Sequence, residues 1–281
     1  MEQLRKYKIA VAQLDSQNNK KDNLEKVCRY IDMAAGEGTK IISFPEVMNL
    51  RGDNVGEGGE SEKIPGYTTE ILMKKAAEKK IYIHSGSFSE YIDGDSRGYN
   101  TSVVIDPEGN IICKYRKLHT FDVTLPDGTI CAESEKIKPG DDIVTVDTPL
   151  GILGLCICYD IRFPELYRIM ALRGAKVIFT PANFTMPTGK DHWETILRTR
   201  AIENGCYIVA ADQMGRKKDA AFSSYGNSLI VDPWGTVIAR SGDHEGVIYA
   251  EIDFDFLDSI RAKIPSLKNR RVDVYELNER R

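Results

Sequence analysis

The sequence predicts an α/β fold of stacked layers with two similar halves. Apolar strand-like runs and amphipathic helical segments alternate along the 281 residues, which is the pattern of helices packed against sheets. Two hairpin sequences resemble each other, Val-Val-Ile-Asp-Pro-Glu-Gly at 103–109 and Leu-Ile-Val-Asp-Pro-Trp-Gly at 229–235. No linker or low-complexity segment divides the chain. We therefore predict a single domain over residues 1–281, with residues 265–281 as a C-terminal tail.

Composition and charge narrow the class of protein. Hydrophobic residues make up 42% of the chain and charged residues 28%, as in soluble globular proteins. The formal net charge is −4 and the basic residues are scattered, so we expect no nucleic-acid partner and no membrane contact. The N-terminus is too polar for a signal peptide, and no run approaches the ~20 apolar residues of a membrane span. With 6 dispersed cysteines and no secretion signal, we expect a reduced, cytoplasmic protein.

The first half of the chain combines short apolar runs with helical periodicity. The apolar runs typical of strands occupy residues 8–14, 40–44 and 81–88. Apolar residues spaced three and four apart predict helices at residues 19–35 and 68–80. A Pro-Glu-Gly-Asn turn predicts a hairpin of residues 99–106 and 111–115. Residues 51–66 are expected to form a surface loop, and residues 119–140 a long irregular segment of the kind that is often functional.

The second half repeats this alternation. Strands are predicted at residues 142–146, 151–157, 176–180, 206–211 and 246–252. Helices are predicted at residues 166–174, 190–205 and 254–263, and a loop at residues 181–188. The Asp-Pro-Trp-Gly turn predicts a second hairpin of residues 227–232 and 237–239.

A cysteine stands at the junction around which the chain is organised. The apolar strand at residues 151–157 ends at Cys158, and Pro164 with Glu165 then marks the start of a helix. The free backbone N–H groups at such a helix start favour a thiolate, and also the oxyanion that forms when a thiolate attacks a carbonyl group. We therefore predict that Cys158 is a nucleophile.

Three further polar residues occupy comparable positions. Glu46 directly follows an apolar strand, so it is a candidate general base, although a helix cap or a surface glutamate would look the same. Lys117 ends the first hairpin and is a candidate for stabilising an oxyanion, although a lysine in a basic run is usually a solvated charge. Glu133 is a candidate partner for Lys117, although a loop glutamate is common.

The sequence gives less support to other roles of the cysteines. The Cys156-x-Cys158 pair has no second pair at ligand spacing and the histidines are isolated, so we expect no zinc site. A Cys–His dyad with His119 or His192 lacks a papain-like signature. A redox disulfide between Cys156 and Cys158 would be strained in a strand. No glycine-rich phosphate loop precedes a helix.

Taken together, these motifs resemble the nitrilase superfamily of carbon–nitrogen hydrolases, over nearly the whole chain. The matching pieces are Phe44-Pro45-Glu46, Tyr115-Arg116-Lys117-Leu118-His119, and Cys158-Tyr159-Asp160-Ile161-Arg162-Phe163-Pro164-Glu165. The resemblance implies a four-layer α-β-β-α sandwich, no cofactor, and a homodimer or higher homo-oligomer. It also implies these roles: Glu46 as general base, Lys117 as oxyanion stabiliser, Cys158 as nucleophile, Glu133 as supporting glutamate, the Tyr159 N–H in the oxyanion hole, and Asn183 and Phe184 in a substrate-contacting loop.

Within that superfamily the sequence is similar to the amidase branch. The implied reaction is hydrolysis of a small carboxylic acid amide to the acid and ammonia through a cysteine thioester. Phe121-Asp122-Val123 favours an omega-amidase acting on 2-oxoglutaramate and 2-oxosuccinamate. Gln213-Met214-Gly215-Arg216 with Ser224-Tyr225-Gly226 is closer to a deaminated-glutathione amidase. The alternatives are an N-carbamoyl hydrolase, a nitrilase, or a catalytically inactive binding scaffold. Arg162 and Arg173 are candidates to bind an acidic substrate.

Overall fold

The structure, a computed structural model, describes residues 3–51, 60–124, 128, 130–216 and 222–279. The strands are β1 Lys6–Gln13, β2 Ile41–Ser43, β3 Tyr82–His84, β4 Phe88–Glu90, β5 Tyr99–Ile105, β6 Ile111–Arg116, β7 Asp122–Thr124, β8 Ile130–Ala132, β9 Thr145–Thr148, β10 Gly151–Leu155, β11 Val177–Phe179, β12 Tyr207–Ala210, β13 Met214–Gly215, β14 Ser224–Tyr225, β15 Leu229–Val231, β16 Val237–Arg240 and β17 Gly246–Asp253. The helices are α1 Lys20–Gly36, α2 Tyr67–Lys79, α3 Pro164–Leu172, the single turn α4 Met186–Thr188, α5 Glu194–Asn204 and α6 Phe254–Lys263.

Two sheets form the centre of the molecule. Among the described residues, one sheet has 7 strands in the order β17-β1-β2-β3-β5-β4, with β6 paired to β5. The other has 6 strands in the order β16-β15-β12-β11-β10-β9. The central strands β1, β2 and β3 are mutually parallel, as are β10, β11 and β12, and the flanking strands are antiparallel. The two halves therefore share the same arrangement of parallel and antiparallel strands, as the sequence predicts.

Three apolar clusters define the layers. The first lies between the sheets, with Val11 from one sheet and Phe179 from the other. The second packs α3 and α5 against the six-stranded sheet, and the third packs α1 and α2 against the seven-stranded sheet. The order of layers is therefore α-β-β-α, which confirms the predicted sandwich. In the described part of the chain, no helix has the length and apolar character to cross a membrane.

Several element boundaries differ from the sequence predictions. The single strand predicted at residues 81–88 is wrong, because β3 and β4 are separated by Gly86 at φ +69°. A side chain at Gly86 would collide with the carbonyl oxygens of Phe44 and Pro45, so the break brings the chain against the loop that carries Glu46.

The irregular segments also contain more structure than their sequences indicate. Residues 119–140 include the short pair β7–β8, and β13 pairs with β14 in a region to which the sequence assigns no element. The first of the helical turns leading into α5 begins at Met186, earlier than predicted. Of the predicted surface loop at 51–66, residues 52–59 lie outside the described residues. The described part of the predicted tail, residues 265–279, contains neither helix nor strand.

Candidate active site

A cavity of about 600 Å³ opens where several central strands end. Glu46 lies beyond β2, Cys158 beyond β10 and Asn183 beyond β11, and each of these residues lines the cavity. Sites in α/β folds commonly form at the carboxyl ends of parallel strands, because the loops that leave the sheet converge there. Lys117 and Glu133 complete the polar wall. The structure thus brings together five residues from separate parts of the sequence.

Lys117 lies between two carboxylates. Its Nζ is 3.1 Å from Glu46 Oε1, and 3.0 and 2.8 Å from the two carboxylate oxygens of Glu133. The side chains of Lys117 and Glu46 are only 2% and 6% exposed. Burial alone would lower the pKa of Lys117, but the charges of Glu133 and Glu46 outweigh it and hold that pKa well above its ordinary value. Lys117 is therefore a fixed cation in the wall of the cavity.

Glu46 is oriented by a second donor. Asn100 Nδ2 donates a hydrogen bond of 2.8 Å to Glu46 Oε1, the same oxygen that Lys117 contacts. Glu46 also lies beside Cys158, because its charge raises the pKa of that thiol. The next residue, Val47, has a φ of 50°, a backbone conformation that β-branched residues rarely adopt. The loop that carries Glu46 is thus held in an unusual shape at the site.

Cys158 is held at the tip of a sharp turn. Its φ is 48°, and its backbone N–H donates a 2.8 Å hydrogen bond to the Pro181 carbonyl oxygen. A non-glycine residue in this region is strained, and such strain is concentrated at functional sites. Cys158 lines the cavity, and its thiol lies close enough to Glu46 and Lys117 for their charges to act on it.

Opposing influences act on the thiol of Cys158. Burial raises its pKa well above the ordinary value, and the Glu46 charge raises it further. Lys117 and hydrogen bonding from the Asn183 backbone lower it, but not enough to reverse the shift. The site therefore opposes the thiolate that a position before a helix favours, and the thiol needs a base to lose its proton.

A buried aspartate connects the segments that carry Lys117 and Cys158. Asp160 is fully buried. Its Oδ2 accepts hydrogen bonds from Tyr115 Oη at 2.6 Å and from the Ile157 N–H at 2.8 Å. Its Oδ1 accepts from the backbone N–H of His119 at 3.1 Å and contacts His119 Nδ1 at 2.7 Å. The carboxylate therefore fixes the end of β6 relative to the turn at Cys158.

The segment after β11 forms another wall of the cavity. Asn183 and Phe184 both line it, as the resemblance implies. Asn183 Oδ1 accepts a 2.5 Å hydrogen bond from Ser224 Oγ, and the Phe184 ring packs against Trp193 with centroids 4.8 Å apart. The Phe184 N–H donates to Asp212 Oδ1 at 2.9 Å. Both residues are thus positioned by contacts outside their own loop.

The two candidate arginines have different surroundings. Arg162 lines the cavity, with its guanidinium 6.0 Å from the Tyr159 ring centroid and 5.9 Å from that of Phe184. Within the described residues, no carboxylate is paired with Arg162, and its Nη2 contacts His192 Nδ1 at 3.2 Å. The prediction that Arg173 binds the substrate is wrong, because its side chain pairs with Glu279 on the surface.

The alternative cysteine chemistries can be compared with the structure. All 6 cysteines, each among the described residues, are free thiols. Cys156 Sγ points away from the cavity into a buried cluster, 2.8 Å from Tyr167 Oη and 3.1 Å from the Phe179 carbonyl oxygen. The candidate dyad partner His119 contacts Asp160 instead. In the described ranges, no group of three or more His, Cys, Asp or Glu side chains could hold a metal ion.

Sequence pattern does not single out Asn100, Asp160 and Asp212, although each forms hydrogen bonds to residues of the site or of its loops. Asp160 stands within the Cys158 motif, so its spacing could have drawn attention to it. Asn100 and Asp212 carry no local pattern, because their partners Glu46 and Phe184 lie far away in sequence.

An α-β-β-α sandwich whose cavity holds a thiol, an ammonium and two carboxylates defines a hydrolase of the nitrilase fold class. The chain belongs to the carbon–nitrogen hydrolase family, because the family model described as Carbon-nitrogen hydrolase matches residues 8–262. The predicted resemblance to this superfamily is thereby confirmed, and the chain is an enzyme of the amidase kind that acts on carbon–nitrogen bonds.

Relatives and solved structures agree with this assignment. The chain is 40% identical over 276 residues to omega-amidase NIT2-A of Xenopus laevis, covering 98% of this chain and 99% of that protein. It is 39% identical over 269 residues to human omega-amidase NIT2, covering 96% of each. The crystal structure of the C. elegans NitFhit protein matches with a TM-score of 0.91 and 36% identity, over 99% of this chain and 68% of that one. Nit3 of Saccharomyces cerevisiae matches with a TM-score of 0.84 and 32% identity, over 95% and 97%.

Proposed function

We propose that this enzyme hydrolyses the terminal amide of a small 2-oxo acid amide, as an omega-amidase does, through a thioester on Cys158. The observation that carries the proposal is the meeting of Cys158, Lys117 and Glu46 at one cavity that also contains an arginine without a carboxylate partner among the described residues. The names of the relatives favour omega-amidase over deaminated-glutathione amidase, the alternative that the sequence leaves open.

The first half of the reaction forms the thioester. Glu46 accepts the proton of the Cys158 thiol while the sulfur attacks the amide carbon. The carbonyl oxygen becomes an oxyanion, which is stabilised by the Lys117 ammonium and the Tyr159 N–H. The carbon–nitrogen bond then breaks, the proton on Glu46 passes to the leaving nitrogen, and ammonia departs.

The second half releases the acid. Glu46 accepts a proton from a water molecule, whose oxygen attacks the thioester carbon. The same donors stabilise the second oxyanion, the carbon–sulfur bond breaks, and the proton returns to the sulfur of Cys158. Glu133 keeps Lys117 charged and in place throughout, through its two contacts of 3.0 and 2.8 Å.

The cation at Arg162 supports an acidic substrate. Because no described carboxylate neutralises it, its guanidinium is available to a substrate carboxylate, which it can bind through two parallel hydrogen bonds. The Tyr159 and Phe184 rings flank the guanidinium and restrict its position. An amide that carries a carboxylate is therefore preferred to a neutral amide of the same size.

A substrate panel tests this proposal. Ammonia release is measured with 2-oxoglutaramate, deaminated glutathione, an N-carbamoyl amino acid, a nitrile and a neutral aliphatic amide. We expect the highest kcat/KM for the 2-oxo acid amide, and Arg162→Ala should raise KM for it while leaving the neutral amide unaffected. The proposal is wrong if a carbamoyl compound or a nitrile is preferred, and a scaffold without activity would turn over none of the five.

Three further predictions belong to this proposal. A single carbon–nitrogen hydrolase domain over residues 1–281 is supported by the family match over residues 8–262. A cytoplasmic location is supported by the free thiols, which a reducing compartment preserves. A homodimer is supported by exposed apolar side chains on α5 and the second hairpin, where Ile202 and Trp234 are each 54% exposed. Sedimentation of the purified protein tests the homodimer.

A further inference from the structure

Asp212 lies directly behind the wall of the active-site cavity. It follows β12 and is fully buried. Its backbone N–H donates a 2.9 Å hydrogen bond to Ser228 Oγ, which fixes its own main chain. Its Oδ1 accepts the 2.9 Å hydrogen bond from the Phe184 N–H. Asp212 itself does not line the cavity.

The segment that Asp212 holds contacts both reacting residues through its backbone. The Pro181 carbonyl oxygen accepts from the Cys158 N–H at 2.8 Å, and the Ala182 carbonyl oxygen accepts from the Glu46 N–H at 3.3 Å. Hydrogen bonding from the Asn183 backbone lowers the pKa of the Cys158 thiol. A shift of this segment would therefore change the geometry of the nucleophile and of the base together.

We propose that Asp212 is a positioning residue of the active site, which holds the Asn183–Phe184 backbone against the Cys158 sulfur by accepting the Phe184 N–H. The inference rests on the proposed role of Cys158 as the nucleophile. Displacing a reacting group by about 1 Å can reduce the rate by about 10²-fold, so one misplaced peptide is sufficient to affect turnover.

The surroundings of the Asp212 carboxyl group favour its neutral form. Burial raises the pKa of Asp212 well above its ordinary value, and the nearby Glu46 charge adds to the effect, while hydrogen bonding from Phe184 lowers it. A group with a raised pKa stays protonated to higher pH. Asparagine has the shape of the neutral acid and keeps one acceptor oxygen, so Asp212→Asn is the conservative variant.

Three variants and one control test the proposal. Asp212→Asn should keep kcat within about threefold of wild type, because the acceptor for the Phe184 N–H remains. Asp212→Ala and the volume-matched Asp212→Leu should lower kcat by about 10- to 100-fold with KM within about threefold. The control is Asp232→Ala, which also removes a side-chain acceptor of backbone N–H groups, those of Trp234 and Thr236, in the distant second hairpin. It should lower the melting temperature but not kcat.

A readout that needs no substrate accompanies the kinetics. The rate of Cys158 alkylation by iodoacetamide is followed against pH by mass spectrometry of the Cys158 peptide. Asp212→Ala and Asp212→Leu should shift the profile to higher pH, because the thiol loses the hydrogen bond of the Asn183 backbone, whereas Asp212→Asn should not.

The possible outcomes separate the proposed amidase function from the proposed role of Asp212. If wild-type protein releases no ammonia from any amide, the proposed function fails, while the alkylation profiles still test Asp212. Wild-type kcat in folded Asp212→Ala and Asp212→Leu would overturn the inference. So would a loss in Asp212→Asn as large as in Asp212→Ala. Failure of both apolar variants to fold, with Asp212→Asn unaltered in every assay, would make Asp212 a residue of stability alone and contradict the proposal.

Discussion

Replacing Glu46 by glutamine should abolish base catalysis while preserving the geometry of the site. Glu46 Oε1 accepts hydrogen bonds from Asn100 at 2.8 Å and Lys117 at 3.1 Å. A glutamine side-chain oxygen can take over both contacts, so its orientation should persist. The amide NH₂ then replaces the other carboxylate oxygen, and the side chain can no longer accept the thiol proton. Glu46→Gln therefore removes the base and its negative charge while it keeps the two hydrogen bonds.

The magnitude follows from the state of the thiol. Burial and the Glu46 charge raise the pKa of Cys158 well above its ordinary value, so the attacking sulfur depends on a base to take its proton. General base catalysis contributes about 10²- to 10⁴-fold, so kcat for ammonia release should fall by that factor, with KM within about threefold. The pKa of Cys158 should also fall in Glu46→Gln, because the Glu46 charge is one of the causes that raise it.

Two measurements check this prediction. Steady-state ammonia release gives kcat and KM, and the thiolate absorbance at about 240 nm, corrected with the Cys158→Ala protein, gives the titration of Cys158. Glu165→Gln is the matched control, since it removes one exposed carboxylate at the start of α3 without touching the cavity. A kcat for Glu46→Gln within tenfold of wild type, or a Cys158 titration moved to higher pH, would refute the reasoning.

Three further predictions concern the neighbours of the thiol. Lys117→Ala should lower kcat by about 10²-fold or more with a smaller change in KM, because an oxyanion donor is lost, and near-normal steady-state turnover would contradict that role. Glu133→Gln removes the negative charge that contributes most to raising the pKa of Lys117. The alkaline limb of the profile of kcat against pH should therefore move to lower pH. An unmoved limb would argue against the pairing of Lys117 with Glu133. Tyr115→Phe removes one hydrogen-bond donor to Asp160, so it should lower the free energy of unfolding by about 1 kcal/mol and lower kcat several-fold. Calorimetry measures the first effect and steady-state kinetics the second. A loss of stability with unchanged kcat would mean that Asp160 does not position the site.

Local sequence pattern was enough to locate the residues at strand ends. Glu46 and Cys158 each follow a continuous apolar run, and such runs are typical of the buried central strands of a sheet. The helix predicted at 254–263 coincides with α6, because Asp253 accepts the Asp255 and Phe256 N–H groups as a capping residue. The layered fold followed from the alternation of such elements and from the resemblance to a known superfamily.

Features that depend on distant partners were not predictable in this way. The break between β3 and β4 depends on the approach of Gly86 to the carbonyl oxygens of Phe44 and Pro45, which no local pattern contains. The strands of the pair β7–β8 are short and partly exposed, so they show no apolar alternation.

The ionisation of the thiol belongs to the same category. The sequence shows a cysteine before a helix, which favours a thiolate, but it does not show how deeply the sulfur is enclosed or that Glu46 lies beside it. Burial and the neighbouring carboxylate outweigh Lys117 and the Asn183 backbone, so the pKa of Cys158 is raised. Only the three-dimensional arrangement gives the sign of this shift.

Acid-quench mass spectrometry during turnover of a 2-oxo acid amide tests the central claim most directly. The proposed chemistry predicts an acyl group on the peptide that contains Cys158, formed with the first equivalent of ammonia, and neither adduct nor turnover in Cys158→Ala and Cys158→Ser. An acyl group on another residue, or ammonia release from the Cys158→Ala protein at a rate within tenfold of wild type, would contradict it.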